Sequence, residues 1–228
     1  MNGVFLTMSG VKKRLNGTVI LESLDLALNP GETAVLSVHS GCGKSTLLRI
    51  IPGLDDPDYG TIRIDDRVVS STDLVVPPWQ RRVGMLFQGD ALWPHLTIAE
   101  QIRLVADSAG TRVSGNAVES EKTGGLFLAK ELGIESLWNR LPGDLSGGEA
   151  RRAALIRTLV AKPGLLLLDE PLAHLDEASQ RHTIGVIRNW QAETGATLLM
   201  VSHESSLFTD WPARSLRLET GRLAGSLR

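Results

Sequence analysis

Lys44, Ser45 and Thr46 stand directly behind glycines 41 and 43 in the stretch "SVHSGCGKSTLLRI", residues 37–50. Glycines here let backbone N–H groups converge on a polyphosphate with no Cβ in the way. A helix opening at Lys44 adds the positive end of its dipole. Lys44 can reach the β- and γ-phosphates of a nucleotide, and the Ser45 hydroxyl can hold Mg²⁺. Val38, His39, Ser40, Gly41, Cys42, Gly43, Lys44, Ser45 and Thr46 therefore form the candidate ATP cradle. The bland alternative, a strand-to-helix turn that holds nothing, has no use for a lysine and a serine at this spacing. One position departs from the G-x-x-x-x-G-K-[ST] pattern: Val38 stands where it asks for glycine. A valine at positive φ would cost about 1–3 kcal/mol. If the strand simply runs one residue further, it costs little, and this is the expected arrangement.

Two more stretches carry chemistry. In "LLLLDE", residues 165–170, an apolar run ends in two acids. Asp169 at the strand end can hold the shell of a Mg²⁺ ion, and Glu170 can orient or deprotonate an attacking water. In "LSGGE", residues 145–149, Ser146 and two glycines at a helix start make a second anion-binding nest. One nucleotide does not need two such cradles from one subunit. Two subunits placed head to tail do, each closing the other's site.

Alternating strand-like and helical stretches position these groups. "VFLTM" and "VILESLDLAL" read as strands, and "TAVLSV" as a buried strand running into the cradle. A helix runs from Lys44 to about Ile51 and stops at Pro52-Gly53. "TIRID" is a short strand, and "RRVGMLFQ", residues 81–88, a strand ending at Gln88. Thr97 with Glu100, and Ser146 with Glu149, make capping boxes that open two helices. The polar stretch 107–125 reads as an exposed connection with a helix near 116–122. "GLLLLDEP" and "TLLMVSHE" read as strands buried on both faces of a parallel sheet, with a long helix from about Asp176 to Glu193 between them. A hairpin-like pair turns about Thr220-Gly221. The expected architecture is an α/β core of mostly parallel sheet with flanking helices and an N-terminal antiparallel part. That core takes residues 1–88 and about 156–228, and a helical subdomain is inserted at about 89–155, all within a single domain spanning 1–228. Ligands should collect at the carboxyl ends of the parallel strands.

Composition narrows the class. With 24 basic and 26 acidic residues, the formal charge of -2 gives no field for a polyanion, so no nucleic-acid partner is expected. Cys42 is the only cysteine, which rules out an intrachain disulfide. No apolar run approaches a membrane span, and the basic cluster of "MNGVFLTMSGVKKRL" follows its apolar stretch, the wrong order for a secretory signal. Tryptophans 79, 93, 138, 190 and 211 are scattered and expected to serve packing, with Trp93-Pro94 alternatively on a partner-facing surface.

In this order and company the stretches resemble the nucleotide-binding subunits of ATP-binding cassette (ABC) transporters, whose signature is LSGGQ. The resemblance covers essentially the whole chain and implies a P-loop NTPase core. It also implies further roles. Gln88 in "GMLFQ" matches the Q-loop glutamine, a contact to Mg²⁺ and water that senses the permease. Ala173, His174, Leu175 and Asp176 match the D-loop, which lies across the dimer interface. His203 in "VSHE" matches the switch histidine that contacts the γ-phosphate. Leu145, Ser146, Gly147, Gly148 and Glu149 would engage the nucleotide held by a partner copy. Leu15 stands where the family stacks an aromatic ring on adenine, losing roughly 0.5–1.5 kcal/mol of stacking. Glu149 replaces the signature glutamine. It would either bring a carboxylate near the partner's nucleotide or cap its own helix.

The stretch from Pro77 to Ile102 looks like the import ATPases for sulfate, maltose, polyamines, iron or thiamine. The resemblance thus implies a subunit that binds and hydrolyses Mg-ATP, working as a homodimer or with a similar cassette. Its partners would be integral-membrane permease subunits at the cytoplasmic face of the cell membrane, with a solute-binding protein as a further candidate in the complex. Two other readings stay open: a soluble ABC ATPase without a transport role, and a weakly hydrolysing regulatory nucleotide-binding subunit.

Overall fold

A computed structural model describes residues 5–38, 42–109, 124–202, 208, 211 and 213–227. His39, Ser40, Gly41 and His203 lie outside the described residues, as does the helix expected near 116–122. The chain divides into two compact units. The first comprises Met1–Met85, Gly164–Asp169 and Ala196–Arg228, and the second Leu86–Pro163 and Glu170–Gly195.

The first unit carries the expected antiparallel part. Strands β1 (Leu6–Leu15), β2 (Thr18–Leu28), β4 (Tyr59–Ile64) and β5 (Arg67–Ser70) form a sheet in the order β2-β1-β4-β5. Alternation explains it: Leu24, Leu26 and Leu28 of β2 face the core, with Asp25 and Ala27 exposed between them, as do Leu6 and Met8 of β1 on either side of Thr7. Strand β5 was not anticipated. It exists because Asp65 and Asp66 both take positive φ, 50° and 59°, and turn the chain back on β4.

A second sheet has the order β10-β9-β3-β8-β7-β6, with β3 at Thr33–Val38, β6 at Val83–Leu86, β7 at Leu165–Asp169, β8 at Thr197–Val201, β9 at Ala213–Glu219 and β10 at Arg222–Leu227. Strand β3 runs parallel to both β8 and β9, and β7 parallel to β8, while β9 and β10 close as an antiparallel hairpin about Thr220-Gly221. Every residue of β7 and of β8 is buried, so continuous apolar runs rather than alternation mark them. Helix α1 (Lys44–Ile50) follows β3 and sinks Leu47, Leu48 and Ile50 into the same core. Each such side chain contributes about 1.5–3 kcal/mol of burial.

The C-terminal end of α1 is held by Arg81, the arginine of the "PPWQR" stretch. Its guanidinium is buried and donates to the carbonyls of Ile50 (3.2 Å), Ile51 (3.0 Å) and Val76 (2.7 Å). The carbonyls of Ile50 and Ile51 lie at the helix end, where donors from a further turn are missing, and that of Val76 in the segment after β5. Gly53 fits beneath it at φ 84°, where a Cβ would come within 2.5 Å of Arg81 Cζ.

The second unit holds α2 (Ile98–Ser108), α3 (Gly125–Glu131), α4 (Gly147–Leu159) and α5 (Glu177–Thr194). Both expected capping boxes are formed, Thr97 with Glu100 on α2 and Ser146 with Glu149 on α4. Asp176 caps α5 through Ser179. At Gly125 a Cβ would sit 2.5 Å from Ile102 Cγ2, so glycine there lets α3 start hard against α2.

Two expectations need correction. The strand expected over 81–88 is only Val83–Leu86, because Arg82 takes φ 55° before it and the Phe87 and Gln88 carbonyls turn to a side chain after it. Packing accounts for Trp190 and Trp211, which are buried, but not for Trp79, which is 80% exposed on a 3-10 turn at Pro78–Gln80. That turn spends its backbone bonds on Pro77 and Pro78 carbonyls and leaves the indole outside the core. Among the described residues, no helix is long and apolar enough to cross a membrane.

Candidate functional site

In the first unit, Gly43 is the N-cap of α1 in the left-handed region, φ 99°. A Cβ there would meet Ile20 O at 2.9 Å and Leu21 Cδ2 at 3.1 Å, so only glycine fits. The first-turn N–H groups of α1 precede any intrahelical acceptor and point out of the helix start. Val38 closes β3 in register with Leu218, so the strand does run one residue further before the cradle. Cys42 is half-buried, Ser45 exposed and Thr46 buried.

Lys44 Nζ sits 3.2 Å from Asp169 Oδ1, the two side chains being 15% and 6% exposed. Asp169 is the last residue of β7, opposite Val201 of β8. The sheet therefore delivers the carboxylate to the lysine that the cradle presents. Leu15 ends β1 opposite Thr18 and is well exposed. Within this unit, Ser45 and Asp169 supply a hydroxyl and a carboxylate. Such hard oxygen donors suit Mg²⁺ where phosphate oxygens and water complete the shell.

In the second unit, Glu170 takes φ 51°, a left-handed conformation uncommon for a side-chain-bearing residue. Its carbonyl accepts from Ala173 N (3.2 Å) and from Arg151 Nη2 (2.7 Å). Gln88 is exposed just beyond β6. Ser146 caps α4, and Gly147 and Gly148 form its first turn against His174 and Leu175. A Cβ on Gly148 would approach His174 O to 3.1 Å. The segments 145–149 and 173–176 are thus brought together, and Asp176 begins the next helix.

Glu149 resolves the alternative left open by the sequence. Its Oε2 accepts from Ser146 N (2.7 Å) and Ser146 Oγ (2.8 Å), while Glu149 N donates to Ser146 Oγ (3.4 Å). Those bonds hold its carboxyl below the ordinary glutamate range. The carboxylate caps its own helix.

In this unit sequence reasoning missed the buried Arg151 and Gln101 and the half-buried Arg157. Arg151 bonds backbone at both ends of this unit's site, at Phe87 and at Glu170. Arg157 donates to Ala91 O (2.8 Å) and lies 4.8 Å from the Trp93 ring centroid. Gln101 brackets Trp93 through both backbone groups. A signal existed for Arg151: it falls on the buried face of α4 with Ala154 and Leu155 one turn on, where a solvated arginine has no business.

Fold and site together define a P-loop NTPase core carrying a helical subdomain with a second glycine nest. The family described as "ABC transporter" matches residues 21–173, and the chain belongs to that family. It is 39% identical over 187 residues, 82% of this chain, to the glucose import ATP-binding protein GlcV of Saccharolobus solfataricus, and covers 52% of that protein. It is 37% identical over 87% of its length to the Fe(3+) ions import ATP-binding protein FbpC of Brucella melitensis biotype 1, covering 54% of it. The chain thus spans about half the length of the curated relatives it matches. The dimeric structure of the ATP-binding cassette MJ0796 in a post-hydrolysis state with ADP and Pi superposes with a TM-score of 0.80 at 28% identity over 98% of both chains. A second dimeric structure of MJ0796 gives 0.82.

Proposed function

We propose that this chain binds and hydrolyses Mg-ATP as the motor subunit of an ABC importer, two cassettes closing around two nucleotides. The observation that carries the reading is the Lys44–Asp169 pair, buried at the mouth of a cradle that only glycine can form at position 43. Support comes also from the relatives, described as import ATP-binding proteins, and from the dimers of MJ0796.

Lys44 turns from Asp169 to the β- and γ-phosphates as they enter the cradle, while adenine rests on the aliphatic surface of Leu15. Ser45, Asp169 and Gln88 would hold Mg²⁺, which when bound neutralises charge on the phosphate oxygens. Glu170 takes the proton of the attacking water; the water oxygen bonds to the γ-phosphorus as the bond to the bridging oxygen breaks, giving ADP and phosphate. Lys44 and His203 stabilise the charge that develops. Ser146, Gly147 and Gly148 of the other cassette close over the γ-phosphate, and residues 173–176 lie along the interface between the cassettes. Exposed apolar side chains in the helical unit, among them Phe87, Trp93 and Leu141, support docking to membrane-spanning permease subunits at the cytoplasmic face.

A Glu170→Gln variant should bind Mg-ATP and elute as a dimer while its turnover falls about 100-fold or more. Normal turnover would refute the base assignment. A strictly monomeric ATP-loaded form, alone and with its permease, would refute the clamp. The Ser146–Glu149 bond and the missing aromatic ring at Leu15 favour a second reading, a regulatory cassette with little hydrolysis. Phosphate release from the isolated chain and from the chain with its permease decides between them.

A further inference from the structure

Arg151 lies on α4, five residues past the Ser146 cap, and only 1% of it is exposed. A guanidinium that deep must spend its donors on the protein, since donors taken from water and left without acceptors are strongly destabilising. Its partners are mostly backbone. Nη1 donates to the carbonyl of Phe87, reaches that of Gln88 at 3.5 Å, and lies 3.4 Å from Asp90 Oδ1. Nη2 donates to the carbonyl of Glu170 at 2.7 Å. One rigid planar fork therefore holds both the peptide that presents Gln88 and the peptide that presents Glu170.

The second of these peptides needs holding. Glu170 sits at φ 51°, a conformation that persists only where its surroundings over-determine it. Its direction decides where its carboxylate points. A lysine ammonium lacks the planar fork and, on its flexible stem, would hold the two carbonyls less rigidly.

We propose that Arg151 is a positioning residue that ties the start of α4 to Glu170 and Gln88, so that displacement of the Ser146 end of the helix moves the base and the Gln88 loop together. This rests on the assignment of Glu170 as base. Arg151 acts through these main-chain carbonyls. It sets the angle from which Glu170 meets the water, and misplacement by about 1 Å costs roughly 100-fold in rate.

The test uses the whole 228-residue chain with Arg151→Gln, Arg151→Lys, Glu170→Gln and the Arg151→Gln/Glu170→Gln double variant. Melting temperature, ATP affinity and single-turnover hydrolysis are measured for each. Glu170→Gln is read first: normal turnover would overturn the base assignment and the proposal with it. Given a slow Glu170→Gln, Arg151→Gln should lower kcat about 10- to 100-fold with the ATP dissociation constant within about threefold, and Arg151→Lys should fall between it and the wild type. The double variant should be no slower than Glu170→Gln alone. A rate loss in the double variant equal to the product of the single losses, or a loss that follows only the folded fraction, would overturn the proposal while leaving Glu170 as base. If Arg151→Gln yields no soluble chain, Arg151→Lys carries the same comparison, alone and with Glu170→Gln.

Discussion

The Lys44 ammonium and the Asp169 carboxylate lie 3.2 Å apart, at the end of a strand buried throughout. They come from positions 125 residues apart in sequence (169 − 44), and parallel pairing of β3, β8 and β7 brings them to one end of the sheet. Removing the lysine leaves the carboxylate in low-dielectric surroundings with its charge partner gone. Lys44→Ala should therefore lower stability by about 3 kcal/mol, measured as a shift in urea midpoint. Adding Asp169→Asn should return much of that loss, because the stranded charge disappears with it. If the two losses simply add, the pair is not what stabilises the cradle.

Glu149, Glu100 and Asp176 all accept bonds from backbone and hydroxyl groups at helix starts, and all three carboxyls titrate below their ordinary values. For Glu149 the first cause is the bond from Ser146 N. A carboxyl depressed in the folded state stabilises the fold above its unfolded value, 4.5 for Glu149, and that stabilisation is lost as pH falls through the folded value. Urea midpoints measured from pH 7 to pH 3 should drop on the acid side of 4.5. In Glu149→Gln, which keeps the capping geometry without a titrating group, the drop should be shallower.

The same substitution bears on the clamp. Ser146 Oγ donates to the charged Glu149 Oε2 at 2.8 Å, which commits the hydroxyl proton inside its own helix. A neutral amide acceptor weakens that bond by about 1 kcal/mol and withdraws a negative charge from the face offered to a triphosphate. Glu149→Gln should lower the ATP concentration needed for dimerisation by about fivefold. Light scattering against ATP concentration, in the Glu170→Gln background, measures it, and an unchanged midpoint would show that Ser146 takes no part in closure.

Arg81 and Gly53 form a further testable unit. The arginine holds three carbonyls at and beyond the end of α1, and burial pushes its guanidinium below the ordinary range. Arg81→Met should destabilise the fold by about 3 kcal/mol or more, since those carbonyls lose charged donors in the core. Gly53→Ala should be destabilising for two reasons, a backbone at φ 84° and a Cβ with no room beside the guanidinium. Chemical denaturation reads both. A Gly53→Ala chain as stable as wild type would mean that the helix end rearranges at no cost.

What was legible in the sequence was set by neighbours in sequence. Both capping boxes rest on residues three apart. The buried strands announce themselves as unbroken apolar runs, and Gly43 sits where the lysine and serine leave no doubt about a helix start. Arg151 and Arg81 escaped because their partners are main-chain carbonyls, which every residue has and no sequence pattern marks. Strand β5 escaped because "DDRVVS" is short, and its turn uses two aspartates at positive φ rather than glycine. The shortened β6 has the same origin as the missed arginine: the peptides after Leu86 are bonded to a side chain instead of a neighbouring strand.

Cys42 offers a direct probe of the cradle, because it is the only cysteine in the chain and stands one residue before the Gly43 cap. It is half-buried, packed against the core, so its rate of alkylation reports on the surroundings of this turn. Phosphates held by the N–H groups around Gly43 and Lys44 would cover the approach to this turn and fix its backbone, so the thiol should react more slowly. Mass spectrometry after brief iodoacetamide treatment should show labelling of Cys42 reduced about tenfold or more by Mg-ATP at 100 times its Kd, where roughly 99% of sites are filled. Lys44→Ala should abolish that protection while leaving labelling of the free protein largely intact. Equal labelling of the wild type with and without Mg-ATP would remove the nucleotide from this loop altogether.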